Sequence, residues 1–157
     1  MENLKFDFVF LGQSILKYQV PLDIFSTINQ VYEQNFYNLA PANSQLVGKI
    51  ENEHSLFYHG KDQTKMKNHN MFPRNVTDYF MTIFKHYLAF NKIKDYETHL
   101  NSIWVNEMKQ HEYNPAHIHR GMLFTGLSSV MILKLPSTYG KEYSAEHIQQ
   151  NGRLQIL

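Results

Sequence analysis

Trp104-Val105-Asn106-Glu107-Met108-Lys109-Gln110-His111-Glu112-Tyr113-Asn114-Pro115-Ala116-His117-Ile118-His119-Arg120-Gly121, followed by an apolar run from Met122 to Pro136, is the stretch that decides the fold. Leu100 to Met108 alternates as a strand, with Leu100, Ser102, Trp104, Asn106 and Met108 on one face and Ile103 and Val105 on the other. Apolar residues on both faces predict a central strand. Asn114-Pro115 breaks it, and His117 to His119 starts a new extended segment. Imidazoles at i and i+2 on an extended backbone point to one face. Two neutral imidazoles on one face can bind one first-row metal. Leu127 to Leu135 then reads as a buried strand that ends at Pro136.

Outward from this stretch, the bulk composition bounds the rest. The chain has 157 residues, the length of a single domain spanning 1–157. Its 43% apolar content, with 11 Phe and 10 Tyr, supports a core and favours sheet over a helical bundle. A formal net charge of +1 gives no electrostatic footprint for nucleic acid or an anionic membrane. The absence of cysteine excludes disulfides, thiolate metal sites and Cys nucleophiles. No apolar run approaches the about 20 residues that span a bilayer, and the start Met1-Glu2-Asn3-Leu4-Lys5-Phe6 is not a signal peptide. The expected location is the cytoplasm.

Upstream, residues 5–20 alternate as one or two strands, with Phe6, Phe8 and Phe10 on one face and Pro21 as the stop. Phe25, Ile28, Val31, Tyr32 and Phe36 recur at helical spacing, with Asp23 or Ser26 as the cap. Residues 38–73 are rich in Asn, Gln, His, Lys and Gly and predict a long surface loop, with a short element at Leu46-Val47-Gly48-Lys49-Ile50. The clearest helix runs from Val76 to Phe90 on the stripe Val76, Tyr79, Phe80, Ile83, Phe84, Tyr87 and Leu88, with Asn75 as its cap. Ser137 to Gly152 reads as a loop and Arg153 to Leu157 as the start of a strand. A chain that ends in strand sequence predicts a truncated reading frame or an unusual closure.

The histidine pair has a bland alternative. Nine histidines in 157 residues make a chance pair at this spacing common, with one ring packed and the other solvated. As a metal site it needs a further ligand. Glu112 and His111 are candidates by proximity, and His147 is a third in the polar loop.

The Trp104-Val105-Asn106 strand, the Glu112-Tyr113-Asn114-Pro115-Ala116-His117-Ile118-His119 turn, Gly121, and the apolar segment closing at Pro136 resemble the 2-oxoglutarate and iron(II)-dependent oxygenases. The likeness is to small members found in marine phages and bacteria, and it covers roughly residues 100 to 157. Tyr139-Gly140-Lys141-Glu142-Tyr143 and the Asn151-Gly152 stretch extend it. The resemblance implies a mainly β member of the α+β class: a partial double-stranded β-helix, or jelly roll, of cupin-like form with two buttressing N-terminal helices. It implies iron(II) on a facial triad, with 2-oxoglutarate as cosubstrate. His117 maps to the first ligand. His119 falls where a carboxylate is usual, which changes the charge at the metal by one unit. Asn106 and Tyr113 would orient the cosubstrate or support the ligands. The family's distal His and its cosubstrate-binding Arg have no counterpart here, since Arg153 comes too early. The chain is therefore expected to be the N-terminal and central part of an oxygenase, its C-terminal strands missing, acting on a small-molecule or protein substrate. A phage-encoded copy would work in the host cytoplasm.

Two other readings compete. One is a non-catalytic β-sandwich module whose exposed strand edges pair with another copy. The other is a cupin-like metal protein, in which His-x-His is the ordinary first motif. Neither calls for a membrane or a nucleic acid.

Overall fold

The computed structural model describes residues 4–10, 14–43, 47–58, 71–115, 117 and 126–137. The alternation expected near the start forms a hairpin of β1 (Phe6–Phe10) and β2 (Ser14–Tyr18). The strands pair antiparallel with Phe6 opposite Tyr18, Asp7 opposite Lys17 and Phe8 opposite Leu16. Pro21 then opens α1 (Leu22–Asn35), which runs into a 3₁₀ turn at Phe36–Asn38. The remaining elements are β3 (Ala40–Pro41), β4 (Asn52–Tyr58), α2 (Arg74–Phe90) and β5 (Ser102–Glu107). The second sheet has the order β3-β4-β5. The class is α+β. Among the described residues no helix is long and apolar enough to cross a membrane.

The chain divides into two compact units. The first comprises 1–40 and 55–104, the second 41–54 and 105–157, so the boundary falls within β4 and within β5. In the first unit the buried stripe of α2 is Val76, Phe80, Ile83 and Leu88, and Ile24 and Ile28 form that of α1. The two helices touch. Val76 and Leu56 are fully buried. Each such side chain contributes about 1.5–3 kcal/mol relative to exposure.

The hairpin docks on α2 through aromatic rings. Phe6 meets His86 edge-on at 4.9 Å between centroids, and Phe8 lies 5.4 Å from Phe90. Tyr18 adds polar contacts: its hydroxyl lies 2.7 Å from His86 Nδ1 and 3.3 Å from the Ile83 carbonyl. A single hydroxyl satisfies both when His86 Nδ1–H donates to it and it donates to Ile83. Burial, reinforced by Tyr79 and Tyr87, pushes the Tyr18 phenol up to about 12. Tyr87 donates to the Ser14 carbonyl at 2.9 Å, joining the same two elements.

Several expectations are corrected. Both helices start earlier than their side-chain caps predict. Pro21 and Pro73 occupy the cap positions, with no side-chain cap bond, because proline's fixed φ starts a helix without an N–H to satisfy. Asp23, Ser26 and Asn75 sit inside or beyond the first turn. The expected loop at 38–73 contains β4, whose strand pattern is masked because Glu53 and Ser55 are polar yet buried. Within the sheet as described, β5 stands at the end of the strand order, not at its centre. Its first five residues are half-buried on both faces, which gives an end strand the two-sided apolar pattern of a central one. The buried strand expected at Leu127–Leu135 is not formed. Residues 126–136 carry no helix, turn or strand ladder, and Leu127, Val130, Ile132 and Leu135 are exposed. Residues 138–157, including the strand expected from Arg153 to Leu157, lie outside the described residues.

Candidate functional site

The second unit is organised by one carboxylate. Glu112 Oε1 accepts the backbone N–H of Glu51 at 2.8 Å, and Oε2 accepts that of Lys109 at 2.7 Å. These two backbone donors, with the Lys109 and Lys49 charges behind them, hold its carboxyl below the usual carboxylate range. Glu112 thereby closes the turn from Lys109, in which His111 takes a left-handed φ of 65°. It also ties that turn to the residue preceding β4. Lys109 Nζ reaches Glu51 Oε2 at 2.8 Å on the surface, and this bond raises the Lys109 ammonium.

Beyond the turn, Lys49 and Tyr113 form an antiparallel bridge, with N–H to carbonyl distances of 2.9 and 3.2 Å. Gly48 makes the close approach possible. Its φ is +121°, and a Cβ there would sit 2.6 Å from the Tyr113 carbonyl oxygen. The contacts run in opposite senses along the two segments: 49 with 113, 51 with 109, and 52 with 107. The pairing is antiparallel.

The bond from Asn52 Nδ2 to Glu107 Oε2, 2.9 Å long, fixes which side chains share a face. β4 and β5 are neighbours. Side chains of adjacent strands meet on a common face, and successive residues alternate. Asn52 and Glu107 therefore share one face, with His54. Glu53 and Asn106 share the other. Burial holds the His54 imidazole below its ordinary value, while the Glu107 charge pulls the other way.

The opposite face carries an anomaly. Glu53 is only 4% exposed, and its Oε1 is buried without a hydrogen-bond partner among the described residues. Asn106 Oδ1 is in the same state. Burial, and next the Glu112 charge, push the Glu53 carboxyl up. Two acceptor oxygens on one face of one strand pair, both lacking a donor, cost the desolvation of each. A cation or a hydrogen-bond donor between them would remove that cost.

The sequence-predicted residues divide as follows. Asn106 is on this face. Tyr113 is positioned by its backbone bridge to Lys49, with a side chain 58% exposed. His117 is exposed, and its Nδ1 lies 2.8 Å from the Pro115 carbonyl. A carbonyl only accepts, so Nδ1 carries the hydrogen. In the neutral ring the lone pair is then on Nε2, the arrangement found where imidazoles bind metals. His119 and His147 lie outside the described residues. Glu112, a ligand candidate by proximity, uses one lone pair of each oxygen on a backbone N–H group. His111 is exposed on its turn. Among the described residues no three His, Asp or Glu side chains gather as a metal site. Glu53 was missed from sequence; the strand-forming Leu56-Phe57-Tyr58 just after it was the available signal.

Comparisons with protein-family models, with curated proteins and with solved structures return no match for this chain.

Proposed function

We propose that the chain binds a divalent metal as a 2-oxoglutarate and iron(II)-dependent oxygenase of the jelly-roll type, working in the cytoplasm. Its donors are His117 and His119, with Glu53 as the carboxylate that the His-x-His motif lacks. The observation that carries this reading is the buried Oε1 of Glu53 without a partner among the described residues. A desolvated carboxylate with no counter-charge is costly, and a bound cation reverses the cost. Two imidazoles and one carboxylate form the facial set that suits iron(II) and leaves positions open.

The residues present fit such a group in part. His117 is held in the required tautomer by Pro115, and Glu53 brings an anionic oxygen. Asn106 would offer Oδ1 as an acceptor and Nδ2 as a donor to the cosubstrate's carboxylate. Iron(II), when bound, supplies the dioxygen chemistry. The overall conversion takes 2-oxoglutarate, dioxygen and a substrate C–H to succinate, carbon dioxide and the corresponding C–OH. The substrate is a small molecule or a protein side chain.

The test is succinate formation from 2-oxoglutarate with anaerobically loaded iron(II), on admission of oxygen. The reading expects iron-dependent turnover that falls at least about tenfold in His117→Ala, the low end for removing a group that positions the metal. Turnover absent from the unaltered chain, or unchanged in His117→Ala, contradicts it.

A further inference from the structure

The run Gly126-Leu127-Ser128-Ser129-Val130-Met131-Ile132-Leu133-Lys134-Leu135-Pro136 is a strand sequence with no strand to pair with among the described residues. It has no helix, turn, bend or ladder, and no described backbone hydrogen bond involves it. Met131 and Leu133 are half-buried. Val130 is 62% exposed, Ile132 51%, Leu135 56% and Leu127 39%. An apolar segment with no ladder among the described residues is a template for strand addition.

The pattern of exposed residues identifies the occupant. Val130 and Ile132 flank Met131 at one residue on either side, and Leu127 and Leu135 flank it at four. A two-fold axis through Met131 therefore brings the segment onto its own copy, antiparallel, with its four exposed large apolar residues matched in pairs. Val130 meets Ile132 of the second copy twice, as β-branched cross-strand pairs. Leu127 meets Leu135, Ser128 meets Lys134, Ser129 meets Leu133, and Gly126 meets Pro136. Self-complementarity of this kind is what a two-fold interface requires.

Charge agrees with the register. Lys134 is the only charged residue in the run. Its counterpart in the second copy lies six residues away along the pair, about 20 Å, which is beyond the Debye length of about 8 Å at physiological salt. Pro136, with no N–H, ends the ladder where the partner presents Gly126. A single strand pair with four exposed apolar side chains per copy is a small interface, at the weak end of specific association.

We propose that residues 126–136 form the dimer interface of this protein, two copies joining as antiparallel edge strands about Met131. The interface involves none of the proposed metal donors, so this proposal stands or falls separately from the metal reading.

Sedimentation velocity of the full chain over a concentration series up to several hundred micromolar tests it. The expected result is a reversible monomer–dimer equilibrium. Val130→Lys raises the dimer Kd at least about tenfold while leaving the thermal unfolding midpoint in place, because that side chain is exposed in the monomer. The register has its own test. Ser128→Glu faces Lys134 of the other copy twice and tightens the dimer, about two- to fivefold at low salt, whereas Ser128→Lys weakens it. Met131→Cys, in a chain with no other cysteine, gives an intermolecular disulfide on oxidation. A monomer at all concentrations, or a dimer indifferent to Val130→Lys, overturns the proposal. Equal effects of the two Ser128 variants overturn the register.

Discussion

Replacing Glu53 by Gln changes a single atom type and should stabilise the metal-free protein, the opposite of the usual outcome for a buried polar substitution. The Glu53 side chain is 4% exposed and its Oε1 lacks a hydrogen-bond partner among the described residues. Its carboxyl is pushed up from 4.5, mainly by burial and then by Glu112. A group whose folded value is raised binds more protons in the native than in the unfolded state. Stability is therefore lost as pH rises from 4.5 through the folded value, and the full cost is present above it. An unsatisfied buried group costs about 1–3 kcal/mol. Gln keeps an unsatisfied amide, so the gain belongs at the lower end, about 1 kcal/mol at pH 8. With a urea slope of about 1–3 kcal/mol/M, the midpoint moves up by roughly 0.3–1 M. Near pH 4 the two proteins should coincide. The neighbouring His54 titrates in both and drops out of the difference. The assay is urea unfolding with chelator present, at pH 4 and pH 8. A variant less stable at pH 8, or a difference that ignores pH, refutes the claim that the carboxylate is uncompensated.

Three further outcomes follow from the geometry. Gly48→Ala forces a Cβ to within 2.6 Å of the Tyr113 carbonyl at a φ of +121°. It should cost about 1–3 kcal/mol or more and expose the Lys49 and Tyr113 amides to faster hydrogen exchange. Tyr18→Phe removes the hydroxyl between His86 and Ile83. A loss of about 1–2 kcal/mol in chemical unfolding is expected, because the His86 ring nitrogen loses its partner. Leu56→Ala empties a fully buried position in β4 and should cost about 2–5 kcal/mol by the same measurement.

Local periodicity was legible in the sequence; side-chain burial was not. The α2 stripe from Val76 to Leu88 could be read because burial and hydropathy coincide there, and the hairpin strands around Phe6 and Tyr18 could be read from alternation alone, since Phe6 and Phe8 are exposed. β4 could not, because it buries Glu53 and Ser55 beside Leu56. A polar residue placed inward for chemistry or hydrogen bonding cancels the pattern that betrays a strand. Leu127–Leu135 failed in the reverse sense: its apolar residues predict burial, yet the chain leaves Val130 and Ile132 exposed. Hydropathy reports that a surface should be covered, and a second copy can cover it as well as the chain's own core. Of the residues singled out beforehand, His117 came from the His-x-His spacing and Asn106 from the family resemblance. The clamping role of Glu112 and the state of Glu53 depend on contacts between segments about 60 residues apart, such as Glu51 with Glu112.

The most direct measurement of the central claim is an anaerobic calorimetric titration of cobalt(II), standing in for iron(II), into the unaltered chain, His117→Ala and Glu53→Gln. The account predicts one site per chain, weakened at least about tenfold by either substitution. It also predicts that at about a hundredfold excess of metal over Kd the unaltered chain gains about 2.7 kcal/mol of stability, of which Glu53→Gln, bound at least about tenfold more weakly, gains no more than about half. Equal binding by all three proteins, or no binding by any, would contradict it.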